Sequence, residues 1–213
     1  MDGRDRITIL YEDQRGPTRG FGLHALVKAC VLDRIGRINR IGRAGDDRRA
    51  IEEALADHRP MKGVEKVLAA CRDDIEDIAC DGRSVIAVFD DDAIRRCLKL
   101  PAGAPAARVE QHIRKGCKAP DALTIVLLQR NAESVLQAIR DCAPGLDAAR
   151  LDRAIRQKDL LARDAVFAAV SRDAMRPTRD CILARVPSLE ALVRVLCDKL
   201  TRRRPRRRKA GRA

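Results

Sequence analysis

Tryptophan is absent, and tyrosine and phenylalanine together supply four of the 213 residues. A core must therefore be filled by Leu, Ile, Val and Ala. Tyr11, Phe21, Phe89 and Phe167 stand too far apart in sequence to form a base-stacking platform for single-stranded nucleic acid. No run of about eighteen apolar residues occurs, so no membrane span is expected. The eight cysteines include no Cys-x-x-Cys pair, and His24, His58 and His112 lack paired ligand spacing, which argues against zinc. With no secretory leader, the dispersed cysteines read as free thiols acting as small hydrophobes in a reducing cytoplasm.

What is present is a globular composition, 46% hydrophobic, of a length suited to one domain with a small appendage. The net charge of +13 is uneven. The last thirteen residues, TRRRPRRRKAGRA, hold eight of the 44 Lys and Arg and no acid, which leaves a body of about +5. The tail over 201–213 is expected to be solvated and disordered. Its arginines, Arg202, Arg203, Arg204, Arg206, Arg207 and Arg208, suit sequence-independent attraction to phosphate, since each guanidinium can pair two oxygens.

RITILYE (6–12), SVIAVF (84–89) and ALTIVLL (122–128) read as buried strands separated by helical spacing. Helices are expected over about 23–33, 48–57, 63–77 and 107–117. Residues 34–49 read as a basic, Gly-punctuated loop with room for a short strand. Strand and helix in alternation predict an α/β fold with a mostly parallel sheet flanked by helices. From 132 onward the pattern is all helical, over about 132–141, 146–156, 158–172, 177–184 and 188–200. The expected organisation is an α/β core over 1–142, a helical C-terminal region over 143–200 packed on it, and the tail.

Ligands of open parallel sheets gather outside the carboxyl ends of the strands. Here each strand leads to acids: Glu12 and Asp13 after the first, Asp90, Asp91 and Asp92 after the second, and Glu133 beyond the third. Carboxylates from three chain regions on one edge would repel one another, and a divalent cation with oxygen ligands, Mg2+ or Mn2+, is the ordinary remedy. Neighbouring side chains of a strand face opposite ways, so Asp90 and Asp92 share a side while Asp91 points elsewhere, and the pair is the expected metal site. The bland alternative is that each acid forms a turn or caps a helix, with Asp91 or Asp92 as the N-cap of DDDAIRR.

ITILYED followed by VIAVFDDD resembles the TOPRIM fold of topoisomerases, primases and overcoming-lysogenization-defect nucleases. In that fold a strand-end Glu and an Asp-x-Asp pair bind magnesium. The likeness extends to small bacterial TOPRIM-like proteins found beside ATPases in phage-defence and abortive-infection systems. LLQRNAESVLQAI matches their third strand and acid-led helix at Glu133, and ILARVPSLEALVRVL their turn before the final helix at Pro187 and Ser188. Asp13 stands where many members have Gly, and Gly16 where the nuclease branch often has a second acid.

The resemblance implies a Mg-dependent nuclease. Glu12, Asp90, Asp92 and Glu133 are the implied catalytic residues, and these with Asp13 the implied metal ligands. Arg185 is a weak candidate for the cation over the crowded phosphate. The implied partners are nucleic acid, held by its backbone, and an ATPase. The alternative is a non-catalytic TOPRIM-like subunit that binds nucleic acid or that ATPase.

Overall fold

The computed structural model describes residues 6–13, 21–38, 44–80, 83–129 and 131–201. Arg202, Arg203, Arg204, Arg206, Arg207 and Arg208 lie outside the described residues, as does part of the basic stretch after residue 38.

Four parallel strands form the sheet in the order β2-β1-β3-β4: β1 (Ile7–Tyr11), β2 (His58–Pro60), β3 (Ser84–Asp90) and β4 (Leu123–Leu128). Register pairs Tyr11 with both Pro60 and Val88, and Asp90 with Leu128. All four chains thus leave the sheet at one edge. β1, β3 and β4 were legible as apolar runs. β2 was not, because HRP has neither length nor apolar character and forms only by addition to β1.

Alternation divides the strand side chains between two cores. Ile7, Ile9, Tyr11, Ile86, Val88, Val126 and Leu128 face one of them. That core also takes in α1 (Gly22–Ile38), α2 (Ala44–Ala54) and the C-terminal helices α7 (Asn131–Cys142), α8 (Ala148–Arg156), α9 (Leu160–Val170), α10 (Arg176–Arg185) and α11 (Pro187–Thr201). Leu10, Val85, Ala87, Phe89, Leu123 and Ile125 face the other. Against them lie α3 (Val64–Ala69), a π-turn (Ala70–Asp74), α4 (Ile75–Ile78), α5 (Asp91–Cys97) and α6 (Ala106–Lys115). Burial on both faces is why these strands read as nearly continuous apolar runs. The expected helical C-terminal region is present, and it shares the core of β1 and α1.

Two expectations need correction. Residues 34–38, read as loop, continue α1, where Arg34 and Arg37 are held by Glu190 and Asp180 of the C-terminal helices, and residues 44–47, also read as loop, open α2. Six cysteines are free, whereas Cys142 of α7 and Cys181 of α10 form a disulfide across 39 residues. Partners so far apart leave no local spacing to read. Among the described residues no helix is long and apolar enough to cross a membrane.

Arg179 of α10 ties the layers together at 1% exposure. Its Nε and Nη2 donate to the Asp33 carboxylate of α1 at 2.7 and 3.1 Å, and Nη1 donates to the carbonyls of Val170 and Arg172. Removing one partner of such a buried pair strands the other charge. Arg179→Ala is expected to lose about 3–5 kcal/mol in urea denaturation. Truncating Arg37, whose pair with Asp180 is exposed, should cost under about 1 kcal/mol.

Candidate functional site at the carboxyl edge of the sheet

Glu12 follows β1 directly, and Asp90 is the last residue of β3. Because β1 and β3 are neighbours in register, the two meet: the Asp90 backbone N–H donates to Glu12 Oε2 at 2.7 Å. The loop after β2 closes over the same place, with the Gly63 N–H donating to the Glu12 carbonyl at 2.7 Å. Sequence reasoning placed these acids on one edge, and the structure brings Glu12 and Asp90 together there.

The acid triplet behaves differently from a continued strand. Asp90 ends β3 and caps α5, its Oδ1 accepting the Asp92 N–H at 3.1 Å. Asp91 and Asp92 therefore occupy the first helical turn, so the alternation expected of a strand does not extend to Asp92. A helix does begin at the triplet, one residue earlier than the capping alternative placed it. Asp91 turns inward to Arg95, Oδ1 to Nε 2.8 Å, while Asp92 is exposed.

Charge compensation sorts the acids. Asp13 is gripped by Arg163 of α9, whose Nη1 donates to both carboxylate oxygens at 2.9 and 3.0 Å. The next residue, Asp164, accepts the Gly22 N–H at 3.2 Å, and a Cβ at Gly22 would stand 2.9 Å from that Asp164 oxygen. Adjacent residues of α9 thus hold Asp13 after β1 and the first residue of α1. Glu133, exposed in the first turn of α7, pairs with Lys158 at 3.3 Å and lines a groove with Gln137, Asp141 and Arg185. Arg185 pairs with Asp141 at 3.3 Å. Among the described residues Glu12, Asp90 and Asp92 enter no salt bridge.

The electrostatics of the uncompensated acids follow from this crowding. Burial, foremost, raises the Glu12 carboxyl to about 7; the Asp90 N–H opposes, and the charges of Asp90 and Asp13 add to the rise. Asp90 is raised as well, by burial and then by the charge of Asp92 against the pull of the Asp92 N–H. Arg96 pulls both back toward ionisation.

Behind Glu12, Tyr11 packs edge-on to Phe21 at 4.9 Å, and its hydroxyl meets His24 Nδ1 at 3.2 Å. His24 stacks on His58 at 4.0 Å and is held down to about 3, chiefly by burial and then by the charge of His58. These rings, scattered in sequence, converge because β2 lies beside β1. Tyr11, Phe21 and His24 support the edge from within the core, and the half-buried His58 covers them.

The chemistry of the donors fits a hard cation, for they are all oxygen. Among the described residues no group of three or more His, Cys, Asp or Glu is arranged to hold a metal ion. Glu12 and Asp90 bring two carboxyl groups to this edge, and magnesium is commonly bound through one or two carboxylates, with waters and substrate phosphates filling the remaining positions. Arg163 and Arg96 were missed in the sequence. Arg163 lies 150 residues from Asp13 and gives no local signal, whereas Arg96 stands four residues after Asp92, the spacing of one helical face.

No protein-family model, curated protein or solved structure matches the chain.

A carboxyl whose folded pKa lies above the ordinary 4.5 binds its proton more tightly in the folded protein. The stability this confers is complete below about pH 4.5 and is lost as the pH rises through about 7. In EDTA, Glu12→Gln is therefore expected to match the wild-type Tm near pH 4 and to exceed it at about pH 8. Discounted for solvent screening to about 1 kcal/mol, the gain is about 2–4 °C. A Tm difference that stays constant across that window would contradict the crowding described here.

Proposed function

We propose that the protein is a TOPRIM-like, Mg-dependent nuclease that hydrolyses phosphodiester bonds at the carboxyl edge of its sheet. The observation that carries the reading is the meeting of Glu12 and Asp90, from separate strands, with no salt bridge to either among the described residues. The order of motifs along the sequence supports it: a strand-end Glu, then an Asp-x-Asp, then an acid-led helix after a third strand. By the same resemblance it is the effector of a bacterial anti-phage system, acting with an ATPase partner; the six free cysteines favour a cytoplasmic place, and the single Cys142–Cys181 bridge does not.

Glu12 and Asp90 are the residues that would hold Mg2+ or Mn2+, with Asp92 exposed beside them. The ion supplies Lewis-acid stabilisation of phosphoryl oxygen charge and a water of lowered pKa. The chain's own part is positional. The Asp90 N–H fixes the Glu12 carboxylate, and the cap to Asp92 fixes Asp90 at the head of α5. Arg163 neutralises Asp13, limiting the negative charge that an incoming phosphate would face. Glu133 is proposed to serve from the β4 side, exchanging its exposed partner Lys158 for metal or water. Nucleic acid would be held by its backbone, with the Arg-rich end of the chain adding affinity.

A second reading, a non-catalytic TOPRIM-like subunit that binds nucleic acid or an ATPase, is favoured by one observation. Asp13 and Glu133 both have basic partners, which leaves a smaller free acid set than the resemblance implies.

The test is cleavage of plasmid, single-stranded DNA and transfer RNA in Mg2+, Mn2+ and EDTA. The wild type should cut at least one substrate only with metal. Glu12→Gln and Asp90→Asn should each lower the rate on the order of a hundredfold or more while the circular dichroism spectrum is retained. Asp13→Asn should lose less than about tenfold. A wild type that binds all three substrates and cuts none, with either metal and with its ATPase partner added, establishes the second reading.

A further inference from the structure

Helix α5 carries two Asp–Arg pairs at the spacing of one helical turn, Asp91 with Arg95 and Asp92 with Arg96. The first is made. Arg95 is 8% exposed, donates from Nε to Asp91 at 2.8 Å and from Nη1 to the Ala104 carbonyl. The second is not: among the described residues Arg96 is exposed and enters no salt bridge with Asp92 or any other acid. An exposed pair at this spacing contributes little, so a stronger acceptor such as a phosphate would take this guanidinium at little cost.

Its direction is set by the helix. Helical side chains lean toward the N-terminus of their helix, and the N-terminus of α5 is Asp90, whose N–H meets Glu12. Arg96, exposed one turn beyond Asp92, is thus placed on the side of α5 nearest the carboxyl edge, close enough for its charge to draw Glu12 and Asp90 toward ionisation. The two other arginines considered for this edge are committed elsewhere, Arg163 to Asp13 and Arg185 to Asp141. An edge of three carboxylates repels a phosphodiester, and a cation fixed on the rim lowers that barrier. A guanidinium suits the task, since its fork matches two phosphate oxygens.

We propose that Arg96 is the phosphate-binding residue of this site, its guanidinium taking the non-bridging oxygens of a nucleic-acid phosphodiester presented to Glu12 and Asp90. The assignment rests on the nuclease reading for the place of the substrate, but it concerns binding and is tested without cleavage.

The experiment is fluorescence anisotropy of the full chain with a labelled single strand of about 20 nucleotides, in Ca2+ so that the strand stays intact, over about 50–200 mM KCl. Arg96→Met is expected to weaken binding about tenfold. It should also reduce the slope of log K against log salt by about 0.7, the share of one phosphate on a single strand. Arg96→Lys should keep that slope and bind more weakly than wild type. Lys115→Met, an exposed cation at the end of α6 before the chain re-enters the sheet, should change neither quantity. Arg96→Met should keep the circular dichroism spectrum and the cooperative unfolding of wild type, which separates a phosphate contact from a structural role. Affinity and slope unchanged in Arg96→Met overturn the assignment, whether or not the wild type cuts. Loss of slope in Arg96→Met with a wild type that never cuts upholds it while the nuclease reading falls.

Discussion

The hydrogen bond from the Asp90 backbone N–H to the Glu12 carboxylate, 2.7 Å long, is the point on which the site depends. It exists because the sheet is parallel and β1 and β3 are neighbours, which delivers both strand ends to one edge. It also holds a half-buried carboxylate against the backbone of a second acid, an arrangement opposed by desolvation and by like charge. Had β1 and β3 run antiparallel, the acids at their carboxyl ends would stand at opposite edges of the sheet.

Around that joint the protein neutralises some acids and leaves others. Asp91 is turned inward to Arg95, Asp13 is held by Arg163 and Glu133 by Lys158. Arg163 and Lys158 come from the C-terminal helices and the turn before them, so the helical region completes the electrostatics of an edge built by the strands. The same region is bound to α1 through Arg179 and Asp33 and through Arg34 and Glu190. Its packing and its effect on the site are therefore linked, as the joint grip of Arg163 and Asp164 on Asp13 and Gly22 shows most directly.

Much of the architecture was legible in the residues. Strands β1, β3 and β4 are buried on both faces, which makes them apolar runs, and the C-terminal helices have clear periodicity. Three things were hidden for identifiable reasons. Strand β2 has three residues and exists through its pairing with β1. Residues 34–38 look like loop because Arg34 and Arg37 find their partners more than a hundred residues away. The Cys142–Cys181 bridge joins two helices at a separation without a local motif. At the site, the shared edge of Glu12 and Asp90 could be read from strand order. The end of β3 at Asp90 could not, since an Asp-rich stretch serves equally as strand end and helix start. The compensation of Asp13 by Arg163 depends on tertiary packing alone.

The central claim is that Glu12 and Asp90 together seat a hard divalent cation. The most direct measurement is a Mn2+ titration followed by electron paramagnetic resonance, in which bound ion loses the sharp signal of free Mn2+. The wild type should remove one equivalent of the free signal, Mg2+ should restore it in competition, and the Glu12→Gln, Asp90→Asn double variant, folded by circular dichroism, should leave it untouched. A wild type that binds no Mn2+, or a double variant that binds it as tightly as the wild type, contradicts the account.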